Sequence, residues 1–500
     1  MCRLSDQCEH QRLRRYGLVV ALPIVSLILT LTLYPFDFNG GWPTQPLVAL
    51  MSGQSHLVDV LRNVVLFAPL GIGLRWLLAG IVIGIGPRGQ VVGAMLLAGL
   101  LALTIELAQL SIPGRSATLI DVLANAAGAG LGSTWQARPV ASVIDLIGKG
   151  CLTLVQRMPA WAVAIGLGGW VTGSGWLLAH WQQATLPVNW SERHSLQIGA
   201  ASDGRRFWPG YVSFIALYNR ALSVSEVGTV LNFSTAVALK PLLAYDLTQA
   251  PPVMNGPMAR PLLTRGRPVV TAEGTGVGYQ RWLTSGEPLP GVPAAIAQAR
   301  ALTLVAQVAP RSPERMVEGL IINYGRQIDN HNISLIQFGP DLLVRIRLPW
   351  TRAANDRPSL RFRNVFHDQQ PRVLVLSYDG AEVRLFIDGQ PHHQRYVIGP
   401  GEVLINRWIP VQPHQIGGWS IALTAVLSVP LALIGAPWRG SRQWLVLPVL
   451  AGPLVMGWVP GLVIAQPLSG ALTLSSALTA LVGSLVIVWL TKPFASGSRI

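Results

Sequence analysis

Two long stretches of this chain, about 17–180 and 417–491, are dominated by apolar residues, and a more highly charged stretch of about 235 residues separates them. A water-soluble fold has no use for apolar runs of that length, whereas a lipid bilayer selects for them. Half of the 500 residues are hydrophobic and only 12% are charged, about half the charge of an ordinary soluble domain. The middle, about 181–415, holds 23 Arg and Lys against 16 Asp and Glu. The chain therefore reads as a multi-domain membrane protein: an α-helical transmembrane bundle with an inserted, extracytoplasmic all-β sandwich. The formal net charge is +15, but the middle has no basic run, and much of the remaining excess borders apolar segments. Nucleic acid is excluded as a partner on that pattern; the lipid bilayer is the partner the composition implies.

A spanning helix needs about 20 apolar residues, and eight segments are expected to supply one: about 17–36, 57–78, 90–111, 118–136, 160–180, 417–437, 443–466 and 470–491. Arg12, Arg14 and Arg15 lead into the first, and no small-residue cleavage site follows it, so it reads as a retained helix. Arg75 and Arg88, then Arg138, Lys149 and Arg157, then Arg439 and Arg442, and finally Lys492 and Arg499 fall on the same side as that lead if all eight segments cross. The positive-inside rule makes that side the cytoplasm. Residues 1–16 and 492–500 are then cytoplasmic tails in the cytoplasmic (inner) membrane. Residues 17–136 form a four-helix domain, 137–180 a linker and fifth span, 181–415 the external domain, and 416–491 three closing spans. The three cysteines, Cys2, Cys8 and Cys151, lie outside the middle, which must hold together without a disulfide.

Ionisable groups inside a membrane are usually functional, and the first block has several. Asp59 and Asn63 are four apart at the start of the second segment, and Asp121 and Asn125 repeat that spacing at the start of the fourth, so each pair shares a helix face. Glu106 and Gln109 end the third, and Arg115 sits in the turn that follows. All seven are expected near the outer face as one polar cluster. Three readings stay open: interhelical bonds that hold the bundle, a pocket for an amphiphilic envelope molecule in which Glu106 or Asp121 is a general base and Arg115 holds phosphate or carboxylate, or simple exposure to interfacial water. The series Tyr34-Pro35-Phe36-Asp37, Asp59, Asn63, Phe67-x-Pro69-x-Gly71, Glu106, Gln109, Pro113-x-Arg115, Asp121, Asn125, Gly128 resembles the VanZ-like integral membrane family over about 20–136. That resemblance implies a cell-envelope protein related to glycopeptide-resistance factors, and it supplies no reaction.

In the middle the periodicity drops to two. Val373–Ser377 and Val383–Ile387 read as strands bounded by the turns Asp379-Gly380 and Asp388-Gly389, and 301–308 and 342–348 read as further strands. Many short strands without a long helix predict a β-sandwich of jelly-roll type. The text from Ser377 to Gly389 resembles the central hairpin of the concanavalin A-like, laminin G-like family. Leu196–Gly199, Trp208–Val212 and Leu217–Val227 resemble its closing segment, which here precedes the hairpin; either the sandwich is circularly permuted, the favoured reading, or 185–235 is the remnant of a separate repeat. The resemblance implies a glycan or protein ligand, with calcium an open expectation on the loops. Asp329, Asn330, Asn332 and Trp208 are the candidate ligand residues, although each also reads as a turn or packing residue.

No Walker lysine, His-Glu-x-x-His or Gly-x-Ser-x-Gly is present, so no cofactor is evident and no catalytic residue is assigned. The leading expectation is a lectin-like binding protein of the cell envelope. The alternative is a membrane enzyme or transporter acting on a lipid-linked envelope intermediate through the polar cluster.

Overall fold

The computed structural model describes residues 2–34, 38, 42–53, 55, 57–82, 84–112, 117–135, 139–143, 146, 158–327, 329–351 and 358–435. They divide into two compact units, one built on residues up to 176 with the helix from Gly418, the other on 177–417.

The first unit is a helical bundle: α1 Cys2–Leu33, α2 Pro46–Ser52, α3 Leu57–Ile81, α4 Pro87–Gln109, α5 Leu119–Thr134 and the start of α6 Ala160–Gln182. Pro87 opens α4 in the first turn, where its missing N–H is harmless. Thr118 caps α5 by accepting from the Asp121 amide. Small residues set the spacing. A Cβ on Gly71 would overlap the Ala129 carbonyl oxygen, and one on Gly132 would overlap that of Ala68, so α3 and α5 meet backbone to backbone. Gly80 lies against Arg14 and Gly73 against Ala21, so α1 runs antiparallel to α3. Gly128 lies against Val64 and Gly132 against Ala68, so α5 runs parallel to α3. The core of this unit holds Ile28, Phe67, Leu70, Ala98, Ala102, Ile105 and Val122.

Among the described residues, four helical segments are long and apolar enough to cross a membrane: Glu9–Leu33, Leu57–Ile81, Pro87–Gln109 and Trp161–Thr185. This corrects the expectation of eight. The predicted span 118–136 is a helix of 16 residues, roughly 24 Å at 1.5 Å per residue and short of the ~30 Å hydrocarbon core. The segment at 417–437 forms the 18-residue helix Gly418–Gly435, which is not one of the four. The expected spans 443–466 and 470–491 lie outside the described residues.

The second unit is a sandwich of two antiparallel sheets. One runs β13 (Leu360–Phe362), β12 (Asp341–Ile346), β11 (Asn330–Phe338), β10 (Gly319–Gln327), β1 (Leu196–Ile198), β8 (Trp282–Thr284), β5 (Leu263–Arg265). The other runs β16 (Gln390–Val397), β15 (Glu382–Ile387), β14 (Arg372–Tyr378), β9 (Leu302–Pro310), β2 (Gly210–Tyr218), β3 (Leu243–Asp246), β4 (Val253–Asn255), with β7 (Gly274–Val277) beside β2 and β6 (Val269–Thr271) beside β7. The first two strands of the unit thus occupy interior positions, β1 between β10 and β8, β2 between β9 and β3. The short helices α7 (Val224–Thr229) and α8 (Phe233–Ala238) cover one face of the second sheet, packing Val227, Val230 and Ala236 on Phe214, Ala216, Val305 and Val375.

Both Asp-Gly pairs make the turns their sequence predicts. Asp379 Oδ1 accepts from the amides of Ala381 and Glu382, at 3.0 and 2.7 Å, and Gly380 takes φ +96°. The two ends of the unit are clasped together. Gln182 Nε2 donates to Ile398 O (3.2 Å), Thr185 Oγ1 to Gly380 O (2.6 Å), and Tyr378 OH to Thr185 O (2.5 Å). The fully buried Glu402 accepts from the amides of Gly399 (3.0 Å) and Gly417 (2.8 Å).

Candidate functional site

Two sets of polar side chains carry the chemistry, one in each unit. In the bundle the expected cluster forms in part. Asp121 Oδ1 accepts from Asn63 Nδ2 and from Ser55 Oγ, each at 2.8 Å, which ties α5 to α3 and to the segment before it. Glu106, 5% exposed, accepts from the Thr118 amide at 2.9 Å. Thr118 in turn caps Asp121, so Glu106 and Asp121 are two steps apart along one hydrogen-bonded chain. Gln109 Nε2 donates to Thr32 O at 2.9 Å and ties α4 to α1. Asp59 turns to its own helix, 3.3 Å from Arg62. Asn125 is 5% exposed, and its Oδ1 has no hydrogen-bond partner among the described residues. Arg115 lies outside the described residues.

These bonds give the bundle a polar end and a basic end. Thr32, Asn63, Glu106 and Asp121 meet at one. At the other, Arg75 donates to Ser133 O (2.5 Å) and Gln90 Oε1 (3.4 Å), and His10 bonds Ala79 O (2.7 Å). The short helix α5 therefore reaches from the Asn63 level of α3 to its Arg75 level.

In the sandwich, Asn330 and Asn332 gather at one end of β11. Asn332 is fully buried and pins Ser191, accepting from its amide (2.8 Å) and donating to its carbonyl (2.9 Å). Asn330 is exposed, and its Oδ1 lies 3.0 Å from Nε2 of the buried His194. Burial is the largest influence on His194 and lowers its pKa; hydrogen bonding to Asn330 and Asn332 opposes that, and the charge of Arg347 adds to it. His194 Nδ1, Arg347 Nε and Asn189 Oδ1 are buried without a partner among the described residues. Asp329, next to Asn330, and Glu192 and Arg193, next to His194, are exposed. Trp208 is elsewhere: it is 1% exposed and donates through Nε1 to Gln337 Oε1. No face of its ring is open to a sugar, so its reading as a stacking residue is corrected to one of packing. Among the described residues no group of three or more His, Cys, Asp or Glu is placed to hold a metal.

Sequence reasoning missed Ser55, Thr118, His194, Ser191 and Arg347. Thr118 had a local signal, a capping residue three before Asp121. His194 had none, because its partner is 136 residues away.

Fold and sites together define a multi-pass membrane protein that carries an antiparallel β-sandwich. Its helical block is VanZ-like: residues 7–136 match the family model described as VanZ/LLP1. No curated protein and no solved structure gives a significant match to the chain.

Proposed function

We propose that this chain is a cell-envelope protein of the cytoplasmic membrane whose sandwich stands outside and binds a glycan or a protein segment. The observation that carries the reading is the set of polar groups at the start of β11. An exposed amide, Asn330, is held by a buried histidine, and three buried polar atoms beside it have no partner among the described residues. A buried polar atom left unpaired costs about 1–3 kcal/mol, and a hydroxyl-rich or peptide ligand reaching past Asn330 would remove part of that cost. The interior positions of β1 and β2 support a concanavalin A-like, laminin G-like sandwich with its closing strands supplied first, and the clasped ends suit a permuted chain.

The outward orientation rests on α5. Its basic and polar ends coincide with those of α3, so we read it as a short crossing helix, and the cytoplasm lies at the Arg75 end. A fifth crossing by α6 then delivers the sandwich to the outside. Glu106 and Asp121 are each engaged by donors of the bundle itself, which favours a structural role for them over acid–base catalysis.

The test uses the full chain in lipid nanodiscs on glycan and peptide arrays. The reading expects a discrete set of bound species and at least tenfold weaker binding by Asn330→Ala. An array without binders, or an Asn330→Ala protein that binds as wild type does, would overturn it.

A further inference from the structure

Among the described residues of α3, α4 and α5, the buried Oδ1 of Asn125 is left without a hydrogen-bond partner. Asp121, Asn125, Gly128 and Gly132 are spaced four, three and four apart on α5, so they share one face. That face meets α3: Asp121 bonds Asn63, and Gly128 and Gly132 touch Val64 and Ala68. Asn125 lies in this seam, one turn deeper than Asp121, with an Oδ1 that is unpaired among the described residues. Within a bilayer no bulk water is at hand to satisfy such an atom. Alanine or leucine at 125 would pack the seam without an unpaired amide. Asn63 of α3 gives one amide proton to Asp121, and among the described residues it gives none to Asn125.

From this we infer that the α3–α5 seam is a binding site for the headgroup of an amphiphile, and that the group bound is a hydrogen-bond donor, a hydroxyl or an ammonium. The missing partner is a donor because the atom left open is a carbonyl oxygen. The neighbouring carboxylates Asp121 and Glu106 disfavour a phosphate at the same place. Beside the seam, Leu61 and Val65 of α3 are 56% and 70% exposed and offer apolar surface to the lipid tail. The inference does not rest on the sandwich reading, and its test leaves the sandwich untouched.

The experiment is the thermal unfolding of the full chain in detergent, with one lipid added at a time. Phosphatidylethanolamine offers an ammonium, monoglucosyl diacylglycerol offers hydroxyls, and phosphatidic acid offers a phosphate without either. We expect one or both donor-bearing lipids to raise the Tm of the wild type by about 2–4 °C and phosphatidic acid to have no such effect. Asn125→Leu should lose the response while melting higher than wild type without lipid. Asn125→Ala serves the same purpose if leucine is not accommodated, and Asn125→Asp, which keeps an acceptor, should retain the response to the ammonium lipid. The inference is overturned if no lipid acts, if phosphatidic acid acts as well as the others, or if wild type and Asn125→Leu respond alike.

Discussion

The two units solve the problem of buried polar groups in opposite ways. In the sandwich, strand ladders satisfy the backbone, and side chains add bonds over more than a hundred positions: Tyr378 to Thr185, Gln182 to Ile398, Trp208 to Gln337. In the bundle, close helix contact at small residues does most of the work, and a short hydrogen-bonded chain from Asn63 to Glu106 joins one end. The comparison teaches where function is legible. In the sandwich the informative atoms are those left without a partner among the described residues, His194 Nδ1, Arg347 Nε and Asn189 Oδ1. In the bundle it is the Oδ1 of Asn125, likewise unpaired among the described residues.

The comparison can be broken first at the glycines. Gly132→Leu places a side chain where the Ala68 carbonyl already lies and should cost more than about 3 kcal/mol, read as loss of monodisperse protein after extraction. A Cβ on Gly166 of α6 would meet nothing within 4 Å, and Gly166→Ala should leave yield and Tm near wild type. A wild-type-like Gly132→Leu would mean that α3 and α5 are not packed backbone to backbone.

The next largest effect belongs to the sandwich. Glu402→Ala leaves the amides of Gly399 and Gly417 buried and unpaired, a loss of about 2–4 kcal/mol, measured by chemical denaturation of the full chain. Asn125→Leu should act in the opposite sense and stabilise the bundle by about 1–2 kcal/mol. The smallest effect is one of pH. Burial holds the folded pKa of His194 below its ordinary value of 6.5. Its contribution to stability is therefore complete above pH 6.5 and is lost as pH falls through the lowered folded value. Replacing His194 by Gln should flatten the stability profile in that window, and an unchanged profile would remove His194 as its source.

Much of this was legible in the sequence for a physical reason: it is local. The Asp379-Gly380 and Asp388-Gly389 turns, the alternating strands β9 and β12 and the apolar spans need only neighbouring residues to declare themselves. Asn63 and Asp121 were expected at one end of the bundle because the positive-inside orientation puts the starts of their helices on the same side, and the structure bonds them directly. Span count was less legible, because α5 is amphipathic in effect: its glycines and its Asp121 serve the seam with α3, and its 16 residues fall short of a full crossing length. Trp208 looked like a ligand residue because nothing in its neighbourhood announces Gln337, 129 positions away. Asp59 looked like a member of the cluster because spacing cannot tell that Arg62 will take it.

The proposal that the sandwich stands outside requires the 16-residue α5 to cross in addition to the four helical segments of full spanning length among the described residues. One measurement addresses it directly. With Cys2, Cys8 and Cys151 replaced by serine, a single cysteine is introduced at the exposed Gln390 of β16, and intact cells are treated with a membrane-impermeant thiol reagent. Labelling of Gln390→Cys without permeabilisation is the predicted result. Labelling only after permeabilisation would place the sandwich in the cytoplasm, make α5 a re-entrant or peripheral helix, and contradict the account.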